Sequence, residues 1–158
     1  MNILEAGMLE LTKLILIPVM LLIIAALIYS FVALGMFAME AWQRARGTHR
    51  SALAAYQKAS GSHSDDLELW ILKRLEWLRL VSRTAPMLGL VATMIPMGPA
   101  LLALTNNDAK QIGENLAVAF SAVIVALISA SITFAILTVR RRWLLLELRV
   151  IERAGAVS

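Results

Sequence analysis

The 158-residue sequence contains no cysteine and only two histidines, His49 and His63. Without cysteine the chain can form neither a disulfide nor a cysteine-ligated metal site. Both histidines lie in polar stretches with no partner at the spacing of a catalytic or metal motif, so we interpret them as solvated loop residues. Glycine-rich phosphate loops, nucleophile elbows and paired metal ligands are also missing from the sequence. We therefore expect a protein that is not an enzyme and that uses neither a metal nor a cofactor.

Charge is missing from three long stretches, residues 14–39, 84–105 and 116–139. Each of them is long enough for a helix to cross the hydrocarbon core of a bilayer, which takes about 20 residues. Because 59% of all residues are hydrophobic, a chain of this size has more apolar surface than one soluble core can bury. The sequence thus predicts an all-α integral membrane protein with three transmembrane helices at these three stretches, in contact with the lipid bilayer.

Basic residues are distributed unequally between the segments that flank these stretches. All of the 15 lysines and arginines except Lys13 and Lys110 lie either in residues 40–83 or in residues 140–158. The positive-inside rule then predicts an outer N-terminus, an outer loop at 106–115, and cytoplasmic segments at 40–83 and 140–158. This orientation implies the cytoplasmic (inner) membrane, and it explains the basic excess without a nucleic-acid partner.

The two cytoplasmic segments have the composition of helices. Residues 40–59, "EAWQRARGTHRSALAAYQKA", continue the first span, and "SGSHSDD" then provides a turn with Ser64 as a helix cap. A second helix follows, so that 40–83 is hairpin-like, and residues 140–158 form a C-terminal helix. The apolar side of the second helix is predicted to carry Leu67, Trp70, Ile71, Leu75, Trp77, Leu78 and Val81.

The second span contains prolines at its start and in its middle: "TAPMLGLVATMIPMGPALLAL", residues 84–104. Pro86 suits the first turn of a helix, with Thr84 as its cap. Pro96 and Pro99 each remove the donor for a carbonyl one turn earlier. In lipid an unpaired carbonyl costs several kcal/mol, so this part of the helix is predicted to face protein or water.

Small residues recur at helical spacing in the second and third spans. Such stripes allow two helices to approach closely, which by itself explains them as packing surfaces. The stripe of the second span consists of Pro86, Gly89, Thr93, Pro96 and Ala100, and that of the third span of Ala119, Ala122, Ala126, Ser129 and Thr133.

Three motifs in these spans resemble a known family. "TAPMLGLVAT" resembles the signature that opens the second transmembrane helix of the MotA/TolQ/ExbB proton-channel family: Thr-Ala-Pro, then Gly-Leu, then a Gly-Thr pair. "LAVAFSAVIVALISA" is similar to the third helix of that family, and "IPMGPALLAL" resembles the end of the second helix in small members that are encoded with single-span partners. The resemblance extends over residues 84 to about 143.

This resemblance implies a homopentamer whose second and third helices line a central pore. One or two transmembrane helices of an ExbD-, TolR- or MotB-like partner would occupy the pore, and proton or sodium flow would drive rotation or force on the cell envelope. Thr93 falls on the threonine of the family's second helix, whereas Val123 and Ala126 stand where the third helix has threonine and glycine. The residues so assigned to the pore wall are Thr93, Gly89, Pro96, Ala100, Ala119, Val123, Ala126 and Ala130, with Glu114 at the outer mouth.

None of the three spans contains Asp, Glu, His, Lys or Arg. Since a proton pathway through a membrane normally needs an ionisable carrier, this chain alone cannot carry protons, and a partner helix would have to supply the titrating carboxylate. A non-conducting membrane scaffold of the same fold is the main alternative. A self-contained channel or small-solute transporter is disfavoured by the missing intramembrane charges and by the absence of a repeated half.

Overall fold

The computed structural model describes residues 3–46 and 64–155, which form three long helices. Helix α1 spans Ile3–Ala45, α2 spans Ser64–Thr105 and α3 spans Ala109–Gly155. Each helix contains a segment long and apolar enough to cross a membrane. The predicted all-α fold with three helices long and apolar enough to span a membrane is therefore confirmed, while the orientation of the termini stays a prediction. Both histidines and most of the predicted 40–59 helix lie outside the described residues.

Helix α2 is one continuous helix from the charged segment into the second span. The prediction that Thr84 caps the second span is wrong: the Thr84 hydroxyl donates to the Leu80 carbonyl (2.9 Å), and Pro86 lies within the helix. The physical reason is that buried residues continue on one face past the proline, from Leu78 and Ala85 before it to Ala92 after it. Packing of that face keeps the helical register, and the proline costs one backbone hydrogen bond.

A three-residue turn joins α2 to α3 and makes them antiparallel. Asn107 has a φ of 56°, a left-handed conformation that asparagine tolerates better than most residues and that commonly ends a helix. Asp108 then caps α3, because its Oδ1 accepts a hydrogen bond from the Gln111 backbone N–H (3.1 Å). Residues 109–115, expected in the outer loop, are consequently the first two turns of α3.

Large aliphatic side chains pack the part of the bundle that includes the charged segments of α2 and α3. We call this the leucine core: Ala33, Leu67, Ile71, Leu75, Leu78, Ile136, Leu144 and Leu148. Four members come from the predicted apolar side of α2, spaced three or four residues apart, which is the spacing of one helix face. Trp77 was also expected on that side, but it is 65% exposed.

Small side chains pack the bundle within the uncharged spans. This second cluster, the alanine core, consists of Val19, Ile23, Ala92, Ala122 and Ala126. Helices α2 and α3 make the most extensive contact of the bundle, and α1 packs on both of them. Most of α1 has large apolar side chains on its outside, such as Leu21 at 61% exposure, as expected of a helix in contact with lipid.

Candidate pore-lining face

The small stripe of α2 faces α3 of the same chain. Gly89, Pro96 and Ala100 are buried. At Gly89 the two helices approach so closely that an added Cβ would lie 2.8 Å from the Cβ of Ala126. Such a distance is shorter than real Cβ contacts, so glycine is required here by the approach of α3.

The small stripe of α3 forms the other side of this contact. Ala119, Ala126 and Ala130 are buried, with exposures of 3%, 0% and 7%. Val123 is half-buried, and its Cγ2 would lie 3.4 Å from a Cβ at Gly89. The structure thus brings residues of the two predicted pore-lining stripes together within one subunit, as a packing surface. Their assignment to a pore wall stays a prediction.

Thr93 differs from its neighbours in the α2 stripe because it is only half-buried. Its Oγ1 donates to the Leu90 carbonyl at 2.7 Å. A hydroxyl oxygen that donates one hydrogen bond keeps lone pairs for an outside donor. Thr93 is therefore the polar group of this stripe that a second molecule can reach near the middle of the span.

The face of α2 that carries Pro96 is covered by protein within the chain, and its avoidance of lipid stays a prediction. Pro96 is buried, and Ala92, whose carbonyl loses its donor to this proline, has no exposed surface. Pro99 is half-buried. The part of α2 that cannot complete its own hydrogen bonds is thus largely covered by protein, as the cost of unpaired carbonyls in lipid requires.

Three hydroxyl residues are fully buried at membrane level: Ser30 in α1, and Ser129 and Thr133 in α3. Each hydroxyl donates to its own helix. Ser30 Oγ bonds the Leu27 carbonyl (2.7 Å), Ser129 Oγ the Val125 carbonyl (2.9 Å), and Thr133 Oγ1 the Ser129 carbonyl (2.8 Å). Because these donors are satisfied locally, the hydroxyls can be buried without a partner on another helix.

A cluster of four charged side chains lies where α1 and α3 leave the uncharged spans. Glu40 Oε2 accepts a hydrogen bond from Arg140 Nη2 at 2.6 Å, and Glu40 Oε1 accepts one from Arg44 Nη2 at 3.3 Å. Arg44 Nη2 also contacts Glu147 Oε1 at 2.6 Å. All four side chains are 15–21% exposed, so their interactions are poorly screened by solvent.

Aromatic side chains cover one side of this charge cluster. The Trp143 ring stacks on Phe37 with ring centroids 5.3 Å apart, and the Arg44 guanidinium lies 4.6 Å from the Trp143 ring centroid. Sequence reasoning used these charges only for orientation and missed the pairing. The available signal was that Glu40 and Arg140, of opposite sign, directly follow two spans that end on the same side of the membrane.

Glu114, the predicted outer-mouth residue, is exposed near the start of α3. Its nearest charged partner is Lys110, with Nζ 4.0 Å from Glu114 Oε1 and side-chain exposures of 87% and 68%. An exposed pair one turn apart on a helix is weak.

Within residues 3–46 and 64–155 no group of three or more His, Cys, Asp or Glu side chains could hold a metal ion.

These features define a multi-pass helical membrane protein with an uncharged, tightly packed α2–α3 hairpin. The model of the MotA/TolQ/ExbB proton channel family matches residues 44–148, which is most of the chain and includes nearly all of this hairpin. The chain belongs to that family. Comparison with curated proteins and with solved structures gives no match.

Proposed function

We propose that the chain is the ring-forming subunit of an ion-driven motor in the cytoplasmic (inner) membrane. In this proposal identical subunits, five by resemblance, surround the transmembrane helix of an ExbD-, TolR- or MotB-like partner. The chain acts as a channel component and has no enzymatic activity. The observation that carries the proposal is the family match across a hairpin whose spans contain no ionisable residue. Such a wall needs a titrating carboxylate from another molecule to move protons.

The environment of Thr93 supports a role at the contact with that molecule. Its hydroxyl is half-buried in the single chain, and the hydrogen bond to Leu90 leaves acceptor capacity. Leu90 and Met94, on either side of it, are exposed at 60% and 65%. A polar group on an apolar surface at mid-membrane is best accommodated against protein or water.

The test is proton uptake by vesicles that contain this chain and its partner. We expect Thr93→Val, of nearly the same volume, to leave the oligomer intact and to abolish partner-dependent flux, because the hydroxyl is lost. Thr93→Ser keeps the hydroxyl and should retain much of the flux.

Thr105→Val is a matched control in the same helix. Thr105 is exposed, and its hydroxyl donates to the Leu102 carbonyl at 2.7 Å, the same local bond that Thr93 makes. Unchanged flux in Thr105→Val would assign the effect to the position of Thr93. Equal flux in the wild type and in Thr93→Val would remove Thr93 from the ion pathway.

A second candidate is a non-conducting scaffold of the same fold. It is favoured by the burial of Gly89, Pro96 and Ala100 against the rest of the chain, since a packing stripe needs shape and no proton acceptor. In that case native mass spectrometry would find the oligomer, and vesicles with the wild-type chain and its partner would take up no protons above background.

A further inference from the structure

A cavity of about 850 Å³ lies between α2 and α3 at the level where both helices leave their uncharged spans. Its polar wall carries four arginines: Arg79 and Arg83 from α2, and Arg141 and Arg142 from α3. The hydroxyl residues Ser82 and Thr138 also line it, and no lining residue is acidic. Four like charges around one cavity repel each other. The acidic Glu68 lines a smaller neighbouring cavity that shares Arg79 and Arg141, whereas Arg83 and Arg142 do not line that cavity.

None of these four arginines forms an ion pair or a side-chain hydrogen bond with any other residue in the described part of the chain. This distinguishes them from Arg44 and Arg140, which are paired in the charge cluster. Arginine presents a planar fork of donors that suits phosphate oxygens. The unpaired guanidinium groups therefore favour a phosphate-bearing ligand.

The rest of the cavity wall is apolar, which restricts the source of that phosphate. Phe134 and Leu137 belong to the uncharged span of α3, whereas Leu145 and Leu146 follow the arginines. Arginine and apolar side chains thus meet at the boundary between headgroups and hydrocarbon. A free phosphate ion uses only the arginines, but a phospholipid uses both parts of the wall.

We propose that this cavity binds the phosphodiester headgroup of an anionic phospholipid, with the first part of an acyl chain on Phe134 and Leu137. The site lies on the side of the membrane that the charge distribution predicts to be cytoplasmic, where anionic lipids attract basic segments. Its nearest α2 residue, Arg83, lies ten residues along the helix from Thr93, about 15 Å, and lipid binding at this site does not depend on ion conduction. The lipid neutralises charges that would otherwise repel each other across the α2–α3 contact.

The test uses the full chain in vesicles of equal parts phosphatidylglycerol and phosphatidylethanolamine. After extraction in mild detergent, native mass spectrometry counts the lipids retained per chain. We expect the wild type to retain phosphatidylglycerol in preference to phosphatidylethanolamine. Arg83→Gln/Arg142→Gln should bind phosphatidylglycerol about 30-fold more weakly, the effect expected of removing two cations from an anionic headgroup. Arg83→Lys/Arg142→Lys keeps the charge and should retain most of the lipid.

Arg149→Gln/Arg153→Gln is the matched control. It removes the same charge from exposed residues of α3 that do not line the cavity, and it should bind lipid like the wild type. Helix content by circular dichroism checks that each variant is folded. Equal loss of lipid in the cavity and control variants would overturn the proposal, because it would indicate attraction by net charge alone.

Two further arms separate the lipid from other anions. Inorganic phosphate added during extraction should not displace the lipid, because it cannot use the apolar wall; full displacement at millimolar phosphate would indicate a free-phosphate site and overturn the lipid assignment. Loss of the partner protein from the cavity variant, with its lipid count unchanged, would likewise overturn it in favour of an acidic protein segment.

Discussion

The leucine core and the alanine core hold the same three helices together in different ways. In the leucine core, side chains such as Leu67 and Leu75 are removed from water, so the hydrophobic effect stabilises the contact. In the alanine core the surrounding lipid is as apolar as the side chains, and that driving force is missing. There, Gly89 and Ala126 stabilise the bundle by letting the helices approach closely. One helix pair therefore changes the chemistry of its packing where its surroundings change from water to lipid.

The largest effect is expected from emptying a position in the leucine core. Leu75 is 1% exposed, and Leu75→Ala should lower the free energy of unfolding by about 2–5 kcal/mol, because it removes buried methyl groups and leaves a cavity. Denaturant titration in detergent, followed by circular dichroism, measures this loss. Leu69→Ala is the control at a residue 63% exposed, with an expected change within about 0.5 kcal/mol. Equal losses at both positions would contradict burial as the source of stability in this region.

An intermediate effect is expected at the boundary between the two regions. Glu40→Gln keeps the size of the side chain but removes the charge that accepts hydrogen bonds from Arg140 and Arg44. We expect the free energy of unfolding, measured by the same denaturant titration, to fall by about 1.5–3 kcal/mol, the range for hydrogen bonds to charged groups.

Glu114→Gln is the control, because it makes the same chemical change at an exposed pair. It should lower the free energy of unfolding by no more than about 0.5 kcal/mol. The double-mutant cycle of Glu40→Gln and Arg140→Gln isolates their coupling. If the double variant lost as much free energy of unfolding as the two single variants together, the 2.6 Å contact would make no net contribution to stability.

The smallest loss is expected in the alanine core, where the contact depends on one missing methyl group. Gly89→Ala would place a Cβ 2.8 Å from that of Ala126, and the overpacking should cost about 1–3 kcal/mol. Adding Ala126→Gly removes the opposing methyl group and should restore part of the stability.

Gly35→Ala is the control, within α1, since an added Cβ there meets no atom of a neighbouring helix within 4 Å. It should be neutral or should stabilise the helix by up to about 1 kcal/mol. If Gly35→Ala were the more harmful change, the close contact at Gly89 would not limit the packing of the alanine core.

The spans were predictable because an uncharged stretch of sufficient length has few alternatives in a bilayer. The α2 members of the leucine core were predictable from their regular spacing. Two features could not be predicted from the local sequence. The continuation of α2 through Pro86 depends on packing against the rest of the bundle, and that packing outweighs the proline signal. The Glu40–Arg140 contact joins residues 100 positions apart, so it depends on the tertiary arrangement.

The stripes of small residues can be found from the sequence, but the helix that packs on each stripe cannot be identified from it. Gly89 and Ala126 allow a close approach whether the opposing helix belongs to the same chain or to another one. The sequence periodicity identifies such a face and carries no information about which helix covers it. In the structure, α3 of the same chain covers much of the α2 stripe, and Thr93 remains accessible.

The continuity of α2 also has a mechanical consequence. Its 42 residues correspond to about 63 Å of helix, roughly twice the thickness of the hydrocarbon core. A rod of this kind acts as a lever: a change in tilt of about 10°, small beside the range found in bilayers, moves a point 30 Å beyond the membrane by about 5 Å. The leucine core ties the projecting arms of α2 and α3 together, so both move with the same angle. A change in the tilt of α2 that displaces the backbone only slightly at Thr93 therefore displaces it by about the width of a side chain at Leu67.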